Sequence, residues 1–171
     1  MPKPPRGSDG VAGTTAAASP KNAITALKKR KSSVAVAESC TGGLVLAALT
    51  SVAGSSAVVR GGIVAYANEV KTGLLKVPAQ TLARHGAVSR ECAVAMAQGA
   101  QRTLQADVGV AVTGIAGPGG GNAAKPVGTV WIAVTTAAGA KAQLHHFAGS
   151  RAAVRRQAVQ AALHLLLQSL P

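Results

Sequence analysis

Three side chains in this sequence have the types and settings of a nucleophile and its proton acceptors: Ser39, Tyr66 and Lys71. Ser39 lies in Glu38-Ser39-Cys40-Thr41-Gly42-Gly43. The apolar run Val34-Ala35-Val36-Ala37 before it reads as a buried strand, and Leu44-Val45-Leu46-Ala47-Ala48-Leu49 after it reads as a helix. A hydroxyl at such a turn lies beside unpaired N–H groups and the positive end of the helix dipole. The turn can hold a phosphate or an oxyanion, with Ser39 as nucleophile beside it. The plainer alternative is that Ser39 or Thr41 only caps the helix. Cys40 is a rival nucleophile, but a small buried cysteine usually serves packing.

Lys71 is the best base for Ser39. It falls in the first turn of a helix that reads from Asn68, where the dipole disfavours its charge. Burial lowers its proton affinity further, and a neutral amine can take the serine proton. Tyr66, the one tyrosine, lies five residues earlier and can relay or orient a proton. Alternatively Lys71 pairs with Glu69 or faces solvent, and Tyr66 packs.

Other chemistries are poorly supplied. The Ser39 turn is not a Gly-x-Ser-x-Gly elbow, because its flanking positions are Ala37 and Thr41. None of His85, His145, His146 and His164 falls on a loop beside Ser39. Only 5 acidic residues are present, which argues against paired-carboxylate catalysis and hard-metal sites. The run Thr113-Gly114-Ile115-Ala116-Gly117-Pro118-Gly119-Gly120-Gly121-Asn122 lacks the Gly-Lys-Ser/Thr of a P-loop. Gly119-x-Gly121-x-x-Ala124 resembles a dinucleotide fingerprint only loosely, since a strand follows it and no acidic ribose partner does. What remains is a backbone that can approach a ligand closely, or simply a long surface loop.

The elements that must position these residues alternate between the two periods of regular structure. Helices are predicted over 21–31, 44–52, 68–76, 90–105 and 150–168, with a short one opened by Pro78 and closed by Gly86. Strands are predicted over 34–37, 58–65, 107–112, 127–135 and 141–147, the last two as an antiparallel hairpin. Gly61-Gly62 suggests a bulge. Helices between strands argue an α/β layered sheet, mostly parallel with one antiparallel pair. Ligands in such sheets bind at the carboxyl ends of strands. The loops at 39–43, 66–71 and 113–122 all leave such ends, so they should form one site.

The length of 171 residues suits one domain with a real core. Aromatics are only 2% and hydrophobic residues 48%, so that core is built from Ala, Val, Leu and Ile. Residues 1–20 read as a disordered basic tail and 21–171 as the domain. A net charge of +13 favours anionic partners. Seven of the basic residues crowd the first 31 positions, so a small anion ranks above specific nucleic-acid binding. Two cysteines without metal-ligand spacing, no apolar leader and no membrane-length run predict a cytoplasmic protein.

Five motifs in order then carry a resemblance. They are Ala37-Glu38-Ser39-Cys40-Thr41-Gly42-Gly43, Val64-Ala65-Tyr66-Ala67-Asn68-Glu69-Val70-Lys71, Gly86-Ala87-Val88-Ser89, the glycine-rich run from Thr113, and Lys125-Pro126-Val127-Gly128-Thr129-Val130. Together they resemble the C-terminal domain of the CinA competence-damage proteins, whose stand-alone members are nicotinamide-nucleotide amidohydrolases. The resemblance implies a three-layer α/β/α sandwich with a mixed, mostly parallel sheet, often dimeric. It implies deamidation of nicotinamide mononucleotide to nicotinate mononucleotide and ammonia, in pyridine nucleotide recycling, with no metal or organic cofactor.

By motif matching, Ser39 takes the nucleophile position, Tyr66 and Lys71 the acid/base positions, and Thr113 a substrate-contacting position. An arginine of the segment holding Arg151 and Arg155 matches one near the substrate, Arg155 being favoured. The two share a helix face. Backbone groups of Cys40, Thr41 and Gly42 would receive the oxyanion, and Gly114 and Gly117 or the arginines the phosphate. The sequence departs from the family at Ser150, where relatives commonly carry an acid, and in its basic tail. The amino-terminal domain of full-length CinA proteins has no counterpart here. A rival expectation is a non-catalytic module that binds an anionic ligand or nucleic acid.

Overall fold

The computed structural model describes residues 18–170. The elements run α1 (Pro20–Lys29), β1 (Val34–Glu38), α2 (Leu44–Thr50), a 3-10 turn, β2 (Val59–Val64), α3 (Asn68–Gly73), α4 (Ala79–His85), α5 (Arg90–Thr103), β3 (Val108–Gly114), β4 (Thr129–Thr136), β5 (Gly139–His146) and α6 (Arg151–Ser169). The expectation of a disordered tail falls mainly on residues 1–17, which lie outside the described residues. Ser19 and Pro20 belong to α1: the Asn22 N–H donates to Ser19 Oγ at 3.1 Å, and Pro20 opens the helix, where its missing N–H is not needed.

The strands form one five-stranded sheet in the order β2-β1-β3-β4-β5. β1 pairs in parallel with β2 and β3, while β4 is antiparallel to both β3 and β5. Only β4 therefore runs against the rest: the expected β4–β5 hairpin is present, and β4 is antiparallel to β3 as well. Helices cover both faces. α1, α2 and α6 pack on one, and α5 with the segments around α3 and α4 on the other, giving the three layers.

Strand alternation sorts the core by size. Val34, Val36, Val108, Val110, Val112, Val130, Ile132 and Val134 face α1, α2 and α6. Ala35, Ala37, Ala111 and Ala133 face α5, whose inner stripe is Ala93, Met96, Ala97 and Ala100. The small side lets backbones meet. A Cβ at Gly109 would lie 2.1 Å from the Ala97 carbonyl oxygen, and one at Gly99 2.2 Å from that of Leu75.

Two boundaries near the site, those of β3 and α3, differ from the sequence reading, while the expected irregularity in β2 is present. β3 extends through Thr113 and Gly114, because both find partners on β4 opposite Trp131 and Val130. The β1–β2 register passes from Val34↔Val59 to Ala35↔Gly61, so the irregularity falls at Arg60, beside the Gly61-Gly62 pair. α3 ends at Gly73, and the Val77 N–H returns to the Lys71 carbonyl at 3.0 Å as Leu75 turns into the core. No described helix is long and apolar enough to cross a membrane.

Candidate active site

The register brings the site together. Glu38, the last residue of β1, pairs with Val64 of β2 on one side and Val112 of β3 on the other. The chain therefore leaves three strands at one level. The Ser39 N–H donates to the Val112 carbonyl at 2.9 Å, and the Ala65 N–H to the Glu38 carbonyl at 2.7 Å. β4 starts and β5 ends at this same edge, since Thr129 pairs with His146, so the loop before β4 and the start of α6 arrive there too. The convergence expected of loops 39–43, 66–71 and 113–122 is present, with α6 as a fourth contributor.

The turn after Ser39 is not capped by Ser39 or Thr41. Gly42 (φ +59°) and Gly43 (φ +99°) carry the chain through the left-handed region, which glycine enters without a Cβ clash. The cap is the carboxylate of Glu38. Its Oε2 accepts the N–H groups of Gly43 and Val45 at 3.0 and 3.1 Å, and its Oε1 that of Leu46 at 2.8 Å. The Gly42 N–H donates to the Ser39 carbonyl and the Leu44 N–H to that of Thr41. The amides that remain for a ligand are those of Cys40 and Thr41. Sequence reasoning passed over Glu38. Its signal was an acid closing an all-apolar strand in an acid-poor chain, just ahead of a Gly-Gly turn.

Lys71 neither pairs with Glu69 nor faces water. It is 1% exposed, and its Nζ donates to the carbonyls of Ala65 at 2.9 Å and Tyr66 at 3.1 Å. Burial pushes its amine below the usual lysine range, against the opposing pull of Cys92, Cys40 and Glu69. Of the two causes read from the sequence, the helix dipole and burial, burial is the leading one in the structure. Burial pushes both the Cys40 and the Cys92 thiols up to about 11, so Cys40 is a neutral thiol near pH 7 and a poor rival to Ser39. Ser39 Oγ makes no hydrogen bond among the described residues. Catalytic contacts of this kind commonly tighten only when substrate arrives.

Tyr66 is 63% exposed, and its hydroxyl accepts from Arg151 Nη2 at 3.1 Å. Arg151 Nη1 donates to the Gly117 carbonyl at 2.9 Å, so one guanidinium ties the Tyr66 loop to the glycine-rich loop. Arg155 Nη2 donates to the Thr41 carbonyl at 2.8 Å. Arg155 Nε and Thr41 Oγ1 are both buried without a partner. Thr113 is 1% exposed and spends its hydroxyl proton on the Ala87 carbonyl at 2.8 Å. That bond makes Thr113 a tie between β3 and the segment leading into α5. Gly114 ends β3 against Val130, and Gly117 turns at φ +81°. None of the four histidines takes part in these contacts. A surface cavity of ≈ 830 Å³ lies by Leu44, His145, Phe147 and His164 and is lined by none of Ser39, Tyr66, Lys71, Arg151 and Arg155. The concentration of buried polar chemistry, not volume, marks the site.

The profile of the CinA C-terminal domain matches residues 16–170. A CinA-like protein of Anaeromyxobacter dehalogenans is 53% identical over 147 residues, covering 86% of this chain and 36% of its own length. The chain thus spans about a third of such CinA-like proteins. The nicotinamide-nucleotide amidohydrolase PncC of Escherichia coli is 51% identical over 144 residues, covering 84% of this chain and 87% of that protein. Among solved structures, the competence/damage inducible protein CihA of Agrobacterium tumefaciens superposes with TM-score 0.85 at 44% identity, over 87% of this chain and 92% of that one. A CinA superfamily protein of Klebsiella pneumoniae superposes with TM-score 0.85 at 38% identity, over 88% and 94%. With the family profile running through every element of the fold and across all four segments of the site, the chain belongs to the CinA C-terminal domain family.

Proposed function

We propose that this chain hydrolyses the carboxamide of a nicotinamide nucleotide, nicotinamide mononucleotide first among them, giving nicotinate mononucleotide and ammonia. The observation that carries the reading is Lys71: a fully buried amine, depressed in proton affinity, at the same sheet edge as the Ser39 turn. The name and near-complete coverage of the Escherichia coli relative support the substrate.

In this mechanism the neutral Lys71 amine takes the Ser39 proton, and Oγ bonds to the carboxamide carbon as the carbonyl electron pair moves to oxygen. The Cys40 and Thr41 N–H groups hold that oxyanion. Collapse of the intermediate expels nitrogen, which takes the proton from the Lys71 ammonium and leaves as ammonia. Water, deprotonated by the same amine, attacks the ester and returns Ser39. Tyr66 receives Arg151 on its oxygen and keeps its own proton to donate near the leaving group. Arg151, exposed at the edge of the turn, has further N–H groups for the 5′-phosphate.

The test is ammonia release from nicotinamide mononucleotide by the wild type beside Ser39→Ala and Lys71→Ala. Release by the wild type alone supports the reaction and both roles. Full turnover by Ser39→Ala sinks the serine mechanism, and no release by folded wild type sinks the substrate.

A further inference from the structure

Glu38 takes no part in the steps above, yet it is the carboxylate buried within the site, at 1% exposure. With its three bonds and the two internal turn bonds, each amide from Gly42 to Leu46 has an acceptor inside the turn. The start of α2 is thus filled by the protein's own anion. Burial, and after it the Glu38 charge, raise the proton affinity of the Cys40 thiol in the same turn, while Arg151 and Arg155 oppose them. Cys40 is the residue next to the nucleophile.

The reaction proposed above turns a neutral carboxamide into a carboxylate at one position. Everything else in the molecule, phosphate included, is the same before and after. Contacts to the phosphate therefore cancel when substrate and product are compared. A fixed charge in the turn that carries the nucleophile does not cancel, because of the two ligands only the product is charged at the reacting group.

We propose that Glu38 is a specificity-determining and positioning residue: its buried carboxylate closes the start of α2 to anions and disfavours the carboxylate product while leaving the neutral carboxamide untouched. This rests on the amidase reading. Glu38 touches no reacting atom. It acts through the turn it holds and through its charge.

The experiment uses the full chain as wild type, Glu38→Gln and Glu38→Asp. It measures ammonia release from nicotinamide mononucleotide and the inhibition constant of nicotinate mononucleotide. In Glu38→Gln the charge is gone, and the product should bind about tenfold more tightly. Its kcat should fall as the turn loosens, with KM for substrate held within about twofold. Glu38→Asp keeps the charge and should keep the wild-type product constant even where its shorter arm lowers kcat. A wild-type product constant in folded Glu38→Gln overturns the proposal. If Glu38→Gln does not fold, calorimetry on Ser39→Ala, which holds the substrate without turning it over, decides: product binding weaker than substrate binding upholds the proposal, and equal or tighter product binding overturns it. Absence of ammonia release by the wild type would be a failure of the amidase reading, and the same calorimetric comparison would still judge Glu38.

Discussion

The Arg155 guanidinium, on α6, donates to the carbonyl of Thr41, 114 residues earlier, at 2.8 Å. Thr41 sits two residues past the candidate nucleophile and is fully buried. The last helix therefore holds the turn on which the chemistry depends. Arg155→Ala should lower kcat by about 10²-fold with little loss of thermal stability, since small misplacements of a reacting group have effects of that order. Steady-state kinetics beside a melting curve would check it. An unchanged kcat would show that the turn holds its shape without the brace.

Lys71 gives a pH prediction with a definite sign. Its folded proton affinity lies below the ordinary lysine range because burial disfavours the charged amine. The base is active when unprotonated, so kcat/KM should rise with pH and level off before the ordinary lysine range. Stability should move the same way. Between the folded and unfolded pKa values the unfolded chain binds more protons, so stability rises with pH across that window and is lowest below it. Lys71→Met should remove both the catalytic limb and this stability slope. A flat rate profile in the wild type would contradict a lysine base.

Gly42 combines φ +59° with a position where a Cβ would lie 3.3 Å from Arg155 Nη2. Gly42→Ala should lose about 1–2 kcal/mol from the left-handed backbone alone, read by urea unfolding. The same change presses on the Arg155 brace, so kcat should fall as well.

Arg151 joins Tyr66 to Gly117 and is exposed at the rim of the site. Arg151→Ala should raise KM for nicotinamide mononucleotide about tenfold and change KM for nicotinamide riboside, which lacks the phosphate, by less than about twofold, because a phosphate oxygen is the partner lost. An equal effect on both substrates would place the phosphate elsewhere.

Gly109→Ala tests the core rather than the chemistry. The added Cβ would meet the Ala97 carbonyl at 2.1 Å and Thr135 Oγ1 at 2.7 Å. Overpacking of this kind costs about 1–3 kcal/mol. The melting temperature should drop while turnover per folded molecule holds.

The order and type of every helix and strand could be read from the sequence, because Val/Ala alternation and Ser, Pro and Gly at the boundaries mark them locally. Ser89 caps α5 and Gly86 closes α4 as read. The Ser39, Tyr66–Lys71 and glycine-rich segments were legible as one site because parallel neighbours end at one level. What could not be read depends on partners distant in sequence. Whether Thr113 was loop or strand depended on Trp131 across the sheet. The work of Glu38 depended on the curl of Gly42-Gly43, which aims three amides back at it. The tie of Tyr66 to Arg151, 85 residues on, has no local signal at all.

One consequence of α6 concerns the order in which the protein is made. α6 follows every other element of the site in the chain, yet it covers the valine face of the sheet and supplies both arginine ties. On the ribosome, synthesis runs from the amino end. The Ser39 turn and the Tyr66 loop emerge well before the helix that fastens them. A nascent chain short of α6 leaves part of the valine face bare beside α1 and α2, and its Ser39 turn is held by Glu38 alone, without the Arg155 tie.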